Sequence, residues 1–140
     1  NNARGADSAD ELSRQQEKLV TAIVKLDADV IGLMELENNE ASEQNLLKAI
    51  NERLGDEVYA GCGIPEGFAE APGGRNAFRV GLIYRKAAVE PTGSVELLGD
   101  SAFFIARTPL VQEFKSTTRD FRYTTIVNHF KSKGGSDATG

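Results

Sequence analysis

The chain has no tryptophan, one histidine, one cysteine, one methionine and four prolines among its 140 residues. A single cysteine, Cys62, excludes an intrachain disulfide and a cysteine-rich zinc site. It leaves the redox compartment open. Cys62 lies between Gly61 and Gly63 and far in sequence from the lone His129, so it reads as a loop or strand-end residue and not as a catalytic thiol. No apolar run approaches the roughly 18 residues of a spanning helix, and no signal-peptide pattern is visible, so no membrane partner is expected. Basic residues are fewer than acidic ones, 16 against 21, and the net charge of −5 argues against nonspecific nucleic-acid binding by the chain as a whole. The charge is unevenly placed. Residues 1–60 carry 6 basic and 13 acidic side chains, and residues 101–140 carry 6 basic and 3 acidic. A phosphate-bearing substrate would approach the basic end, which holds His129.

What is present describes an ordinary globular domain, 40% hydrophobic and 26% charged. The start at Asn1 and the abrupt stop after Asp137-Ala138-Thr139-Gly140 lead to the expectation of a piece of a longer polypeptide. Ser8-Ala9-Asp10-Glu11 is a capping-box pattern. Behind it, Leu12, Leu19, Ile23 and Leu26, with Val20 and Ala22 nearby, recur at helical spacing, which predicts a helix over about 9–27. Asp29–Glu35 is a near-continuous apolar run, read as a strand buried on both faces. Ser42 is the expected cap of a second helix over 43–54, stopped by Gly55. A short strand near 58–60 precedes a loop over 61–76, rich in glycine and containing two prolines. Strands are predicted at 78–85 and at about 88–98, the latter loosened by Pro91 and Gly93. Residues 110–114 and 121–127 read as a hairpin around Ser116–Asp120. The expected class is α/β, with helices covering a mixed, mostly antiparallel sheet.

Three strand-end features could carry chemistry. Glu35 closes an apolar strand, where an unpaired buried charge would be expensive. It is either a solvated strand end or a cation ligand. With Glu37 and Glu40 nearby and few nitrogen or sulfur donors, the cation would be Mg²⁺, with Mn²⁺ or Ca²⁺ as alternatives, rather than Zn²⁺. Arg107 precedes a proline-started strand; it is an exposed loop residue or a guanidinium fork for phosphate. His129 ends a β-branched run and is followed by Lys131 and Lys133. It is a surface histidine or a proton-transfer group at a site rim.

Taken together, the segments Asp29-Val30-Ile31-Gly32-Leu33-Met34-Glu35, Val80-Gly81-Leu82-Ile83-Tyr84-Arg85, Arg107-Thr108-Pro109-Leu110 and Val127-Asn128-His129-Phe130-Lys131-Ser132-Lys133 occur in one order. In that order the chain resembles the endonuclease/exonuclease/phosphatase (deoxyribonuclease I-like) superfamily, and within it the secreted bacterial nucleases. The resemblance runs over nearly the whole chain. It implies a four-layer αββα sandwich with the site at the tops of two packed sheets. It implies Glu35 as a metal ligand, His129 as the catalytic histidine and Arg107 as a phosphate contact. Asn76, Asn128 and Lys131 are implied as further substrate phosphate contacts. Departures accompany the likeness. The family's first strand, with its metal-site asparagine, has no counterpart before Asn1. The family's later Asp-x-Asn segment, a further aspartate and its terminal Asp-His pair would fall after Gly140. Residues 1–140 therefore read as one partial domain. Position 37, an arginine in deoxyribonuclease I, is Glu37 here.

The function implied is metal-dependent phosphodiester hydrolysis, with DNA preferred to RNA, by an extracellular or periplasmic protein. Hydrolysis of phosphomonoesters on the same scaffold and a noncatalytic module are the competing expectations. For the 140 residues alone the expectation is no activity and at best millimolar Mg²⁺ affinity. Leu82, Tyr84, Phe114 and Ile126 are expected to lie exposed in a half-domain, inviting self-association.

Overall fold

A computed structural model describes residues 8–71, 74–100 and 107–130. Helix α1 (Ala9–Leu26) starts where the Ser8 hydroxyl accepts from the Glu11 amide, 3.2 Å. It ends at Asp27 in a left-handed conformation. Helix α2 (Glu40–Leu54) starts three residues earlier than the sequence suggests. Asn39, not Ser42, is its cap: the Asn39 side chain accepts from the Ser42 amide at 2.8 Å. The Ser42 hydroxyl instead donates to the carbonyls of Glu37 and Asn39. Two cap-forming residues lay within one turn, and the extended backbone at Asn39 decides between them. In α1 only part of the apolar set faces inward. Val20 and Ile23 are buried, whereas Leu12, Leu19 and Leu26 are exposed.

Six strands follow the expected order: β1 (Val30–Glu37), β2 (Tyr59–Gly61), β3 (Phe78–Arg85), β4 (Val89–Leu97), β5 (Leu110–Ser116) and β6 (Arg122–Val127). They form two antiparallel sheets, ordered β1-β3-β2 and β4-β5-β6, rather than one mixed sheet. The α/β class holds. Among the described residues the layers are helices, sheet, sheet. One core lies between the helices and the first sheet, built from Val20, Ile23, Ile31, Leu33, Leu46, Ile50, Tyr59 and Ile83. A second lies between the sheets, built from Val80, Leu82, Val95, Leu110 and Val127. Tyr84, Phe114, Tyr123 and Phe121 extend that second core as successive ring contacts, 5.4–5.9 Å between centroids.

Two expectations fall with this arrangement. Leu82 and Phe114 are fully buried and Tyr84 is half-buried, because the chain supplies both sheets and each covers the inner face of the other. Only Ile126, on the outer face, is exposed as expected. β1 is not buried on both faces either. Ile31 and Leu33 are buried while Gly32 and Met34 are exposed, as befits an edge strand.

Candidate active site

Register alone gathers the candidate residues. Glu37 on β1 faces Phe78 on β3, so the segment leaving β1 lies beside the one entering β3. Leu110 on β5 faces Val127 on β6, so Arg107 and His129 flank the same end of the second sheet. The two sheet ends meet. His129 Nε2 lies 3.9 Å from Glu35 Oε1. Glu35, Asn76, Arg107, Asn128 and His129 thus share one end of the sandwich, contributed by four strands of both sheets. Lys131 lies outside the described residues.

A distortion aims Glu35. Between Leu33 and Leu36, β1 advances three residues while β3 advances from Gly81 to Arg79, so β1 carries a bulge. Glu35 sits in it with φ +60°, one of two non-glycine residues among those described with a positive φ. A side chain in this region costs about 1–2 kcal/mol. Such strain persists only where the surroundings impose it, and it is frequent at functional sites. The carboxylate is 68% exposed, which suits a ligand or solvent partner better than a core contact.

The other side chains are more enclosed. His129 is 21% exposed, and its Nδ1 is buried with no hydrogen-bond partner. Arg107 is half-buried, and its Nε is likewise buried without a partner. Buried nitrogens without a partner are uncommon in finished structures. A third such nitrogen among the described residues, Arg79 Nε, belongs to the buried pair with Glu43. Asn128 is half-buried; Asn76 is exposed. Among the described residues no group of three His, Cys, Asp or Glu side chains could hold a metal ion. The described carboxylates therefore do not make a cation site by themselves. Glu35 can supply one oxygen ligand, and Glu37 and Glu40 do not join it in such a group.

Sequence reading missed the supports of this end. Gly32 lets β1 lie on β6: a β-carbon there would meet Val127 Cγ2 at 3.1 Å. Asn38 ties the end of β1 to the loop before β3. Its Nδ2 donates to the carbonyls of Gly74 (2.6 Å) and Asn76 (2.9 Å), and its backbone amide donates to Ala77 (2.9 Å). Beneath the sheet, Arg79 and Glu43 form a buried ion pair, 3.2 Å. The half-buried Cys62 takes no part: desolvation, and then the Glu43 carboxylate, push its thiol up to about 12. Asn38 stands immediately after Glu37 in a polar run, and only its position just past an apolar strand could have singled it out.

Comparison with known proteins adds no further constraint: no family model, curated protein or solved structure matches the chain.

Proposed function

We propose that this chain carries part of the active site of a metal-dependent phosphodiesterase, with DNA as the preferred substrate, on a four-layer αββα sandwich of the deoxyribonuclease I-like kind. The observation that carries the reading is the meeting of Glu35 and His129 at 3.9 Å from different sheets, with Arg107 at the same end. Charge-bearing residues from strand ends far apart in sequence converge there, beside two orphaned buried nitrogens. Two stacked antiparallel sheets with helices outside one of them support that fold in the reading.

In this reading Arg107 holds a nonbridging phosphate oxygen through charge-assisted hydrogen bonds. His129 moves a proton at Nε2 to or from a reacting oxygen, and its Nδ1 takes a partner that fixes the tautomer. Asn76 and Asn128 orient flanking phosphate. Lys131 belongs to the same proposed set by the motif it shares with His129. Glu35 supplies one oxygen of an Mg²⁺ site whose other ligands come from outside the described residues. The ion, when bound, would neutralise charge developing on the phosphate.

The test is cleavage of supercoiled plasmid by the full-length protein, with Mg²⁺ and with EDTA, beside a panel of small phosphate esters. Plasmid cleavage that EDTA abolishes is expected. His129→Ala should lower the rate about 10²–10⁴-fold, the usual contribution of general acid–base catalysis, with the thermal midpoint unchanged. Wild-type rates in His129→Ala would remove His129 from the mechanism. Turnover of monoesters with intact plasmid would replace the nuclease by a phosphatase.

A further inference from the structure

We propose that Asn38 is a positioning residue that sets Asn76 against the bulged end of β1. This rests on the reading of that end as a phosphodiester-cleaving site, and adds to it the group that holds one substrate contact in place. The β1–β3 ladder closes at Glu37–Phe78. Beyond it, residues 74–77 lack strand pairing and run past an open cleft of about 420 Å³ lined by Glu37, Asn38, Arg75 and Asn76. Asn38 carries the connection on. Both N–H groups of its side chain are spent on carbonyls of this loop, at Gly74 and Asn76, and its backbone amide is spent on a third at Ala77. The far end of the loop is anchored separately. The Gly74 amide donates to Ala71 at 2.9 Å, and a β-carbon at Gly74 would fall 1.7 Å from the Phe68 carbonyl oxygen. The loop is thus pinned at Gly74 by packing and at Asn76 and Ala77 by Asn38. The side chain of Asn76 stays exposed in the cleft while its own carbonyl is held.

The side-chain chemistry is specific to an amide. Aspartate has the same shape but no donor, and sets a negative charge against two carbonyl oxygens. Glutamine keeps both donors on an arm one methylene longer.

The experiment compares Asn38→Asp, Asn38→Gln, Asn76→Ala and the double variant Asn38→Asp/Asn76→Ala in the full-length protein. Steady-state cleavage of duplex DNA is measured together with amide hydrogen exchange. Asn38→Asp is expected to raise KM about tenfold with kcat within about twofold, as for loss of a contact made equally in ground and transition states. In the double variant KM should be no higher than in Asn76→Ala alone, because Asn38 acts through Asn76. Exchange at residues 74–78 should quicken about tenfold with α1 and α2 unchanged, and Asn38→Gln should restore part of the protection. Multiplying effects in the double variant, a fall in kcat at constant KM, or exchange that rises equally throughout would each overturn the role. If the wild-type protein cleaves nothing, the reading of the site fails, while the exchange data still decide whether Asn38 holds the loop.

Discussion

Cys62 is half-buried, and its thiol behaves as an apolar group. Its thiol is raised from an ordinary 9.0 to about 12, by burial first and the Glu43 carboxylate second. The unfolded chain exposes an ordinary thiol. Between about pH 9 and 12 the unfolded state therefore binds fewer protons than the folded one, and stability falls as pH rises through that window. Below it the contribution is complete. Tyr84 and Tyr123 push the same way, each raised chiefly by burial. Urea midpoints should drop between pH 8 and pH 10.5, and Cys62→Ala should lessen the drop; a flat profile would contradict the burial. Next to Cys62, Glu43 accepts from the Gly63 amide and from Arg79, both within 3.2 Å. Removing one member of a buried pair strands the other, at about 3–5 kcal/mol. Arg79→Met should show a loss of that order in guanidinium unfolding, and Glu43→Gln/Arg79→Met should recover much of it. Neither residue was legible in the sequence. Arg79 sits second in a mostly apolar strand, and Glu43 in a polar first turn of a helix, where charges are ordinarily solvated.

At the scale of elements, the strand and helix order was readable because period and punctuation agree with the tertiary fold. Phe78–Arg85 stands as predicted from its β-branched and aromatic pattern. Ser8 caps α1 as the capping-box pattern requires. The apolar set of α1 was legible only in part, since periodicity reports a face but not what covers it. α1 turns Val20 and Ile23 to the core and leaves three leucines outside. The bulge in β1 was not legible at all, because nothing in Leu33-Met34-Glu35-Leu36 demands a left-handed residue. The bulge makes a distinct prediction. Glu35→Gly removes the β-carbon from a backbone at φ +60° and should raise stability by about 1 kcal/mol, whereas Glu35→Ala retains the strain and should not. Both should abolish cleavage by the full-length protein if Glu35 serves the site. Paired thermal midpoints for the two variants separate the backbone effect from the loss of charge. Equal midpoints would show that the conformation is unstrained.

For the whole molecule, the decisive relation is between sheets, and a single sequence carries little of it. Alternation in Leu110–Ser116 and Arg122–Val127 announces a hairpin, yet nothing local says that β4 joins it while β2 joins β1 and β3. The candidate site residues were legible as separate strand ends; their meeting depends on how closely β1 lies on β6. Gly32 governs that approach. Its missing β-carbon leaves room for Val127, two residues before His129, at a distance of 3.1 Å. Gly32→Val would drive branched methyls into the Val127 side chain and press the two edge strands apart, at about 1–3 kcal/mol by the usual cost of overpacking. Gly61 offers the comparison, since a β-carbon there falls 2.0 Å from Glu43 Oε1, in β2 at the opposite edge of the same sheet. Gly61→Ala should also destabilise the protein, but without moving β1 from β6. Measured well below both thermal midpoints, plasmid cleavage should fall at least about tenfold in Gly32→Val, since an ångström of misplacement at reacting groups can reduce the rate about 10²-fold. In Gly61→Ala it should stay near the wild-type rate. Equal rates in the two variants would mean that the contact between the sheets does not set the distance from Glu35 to His129.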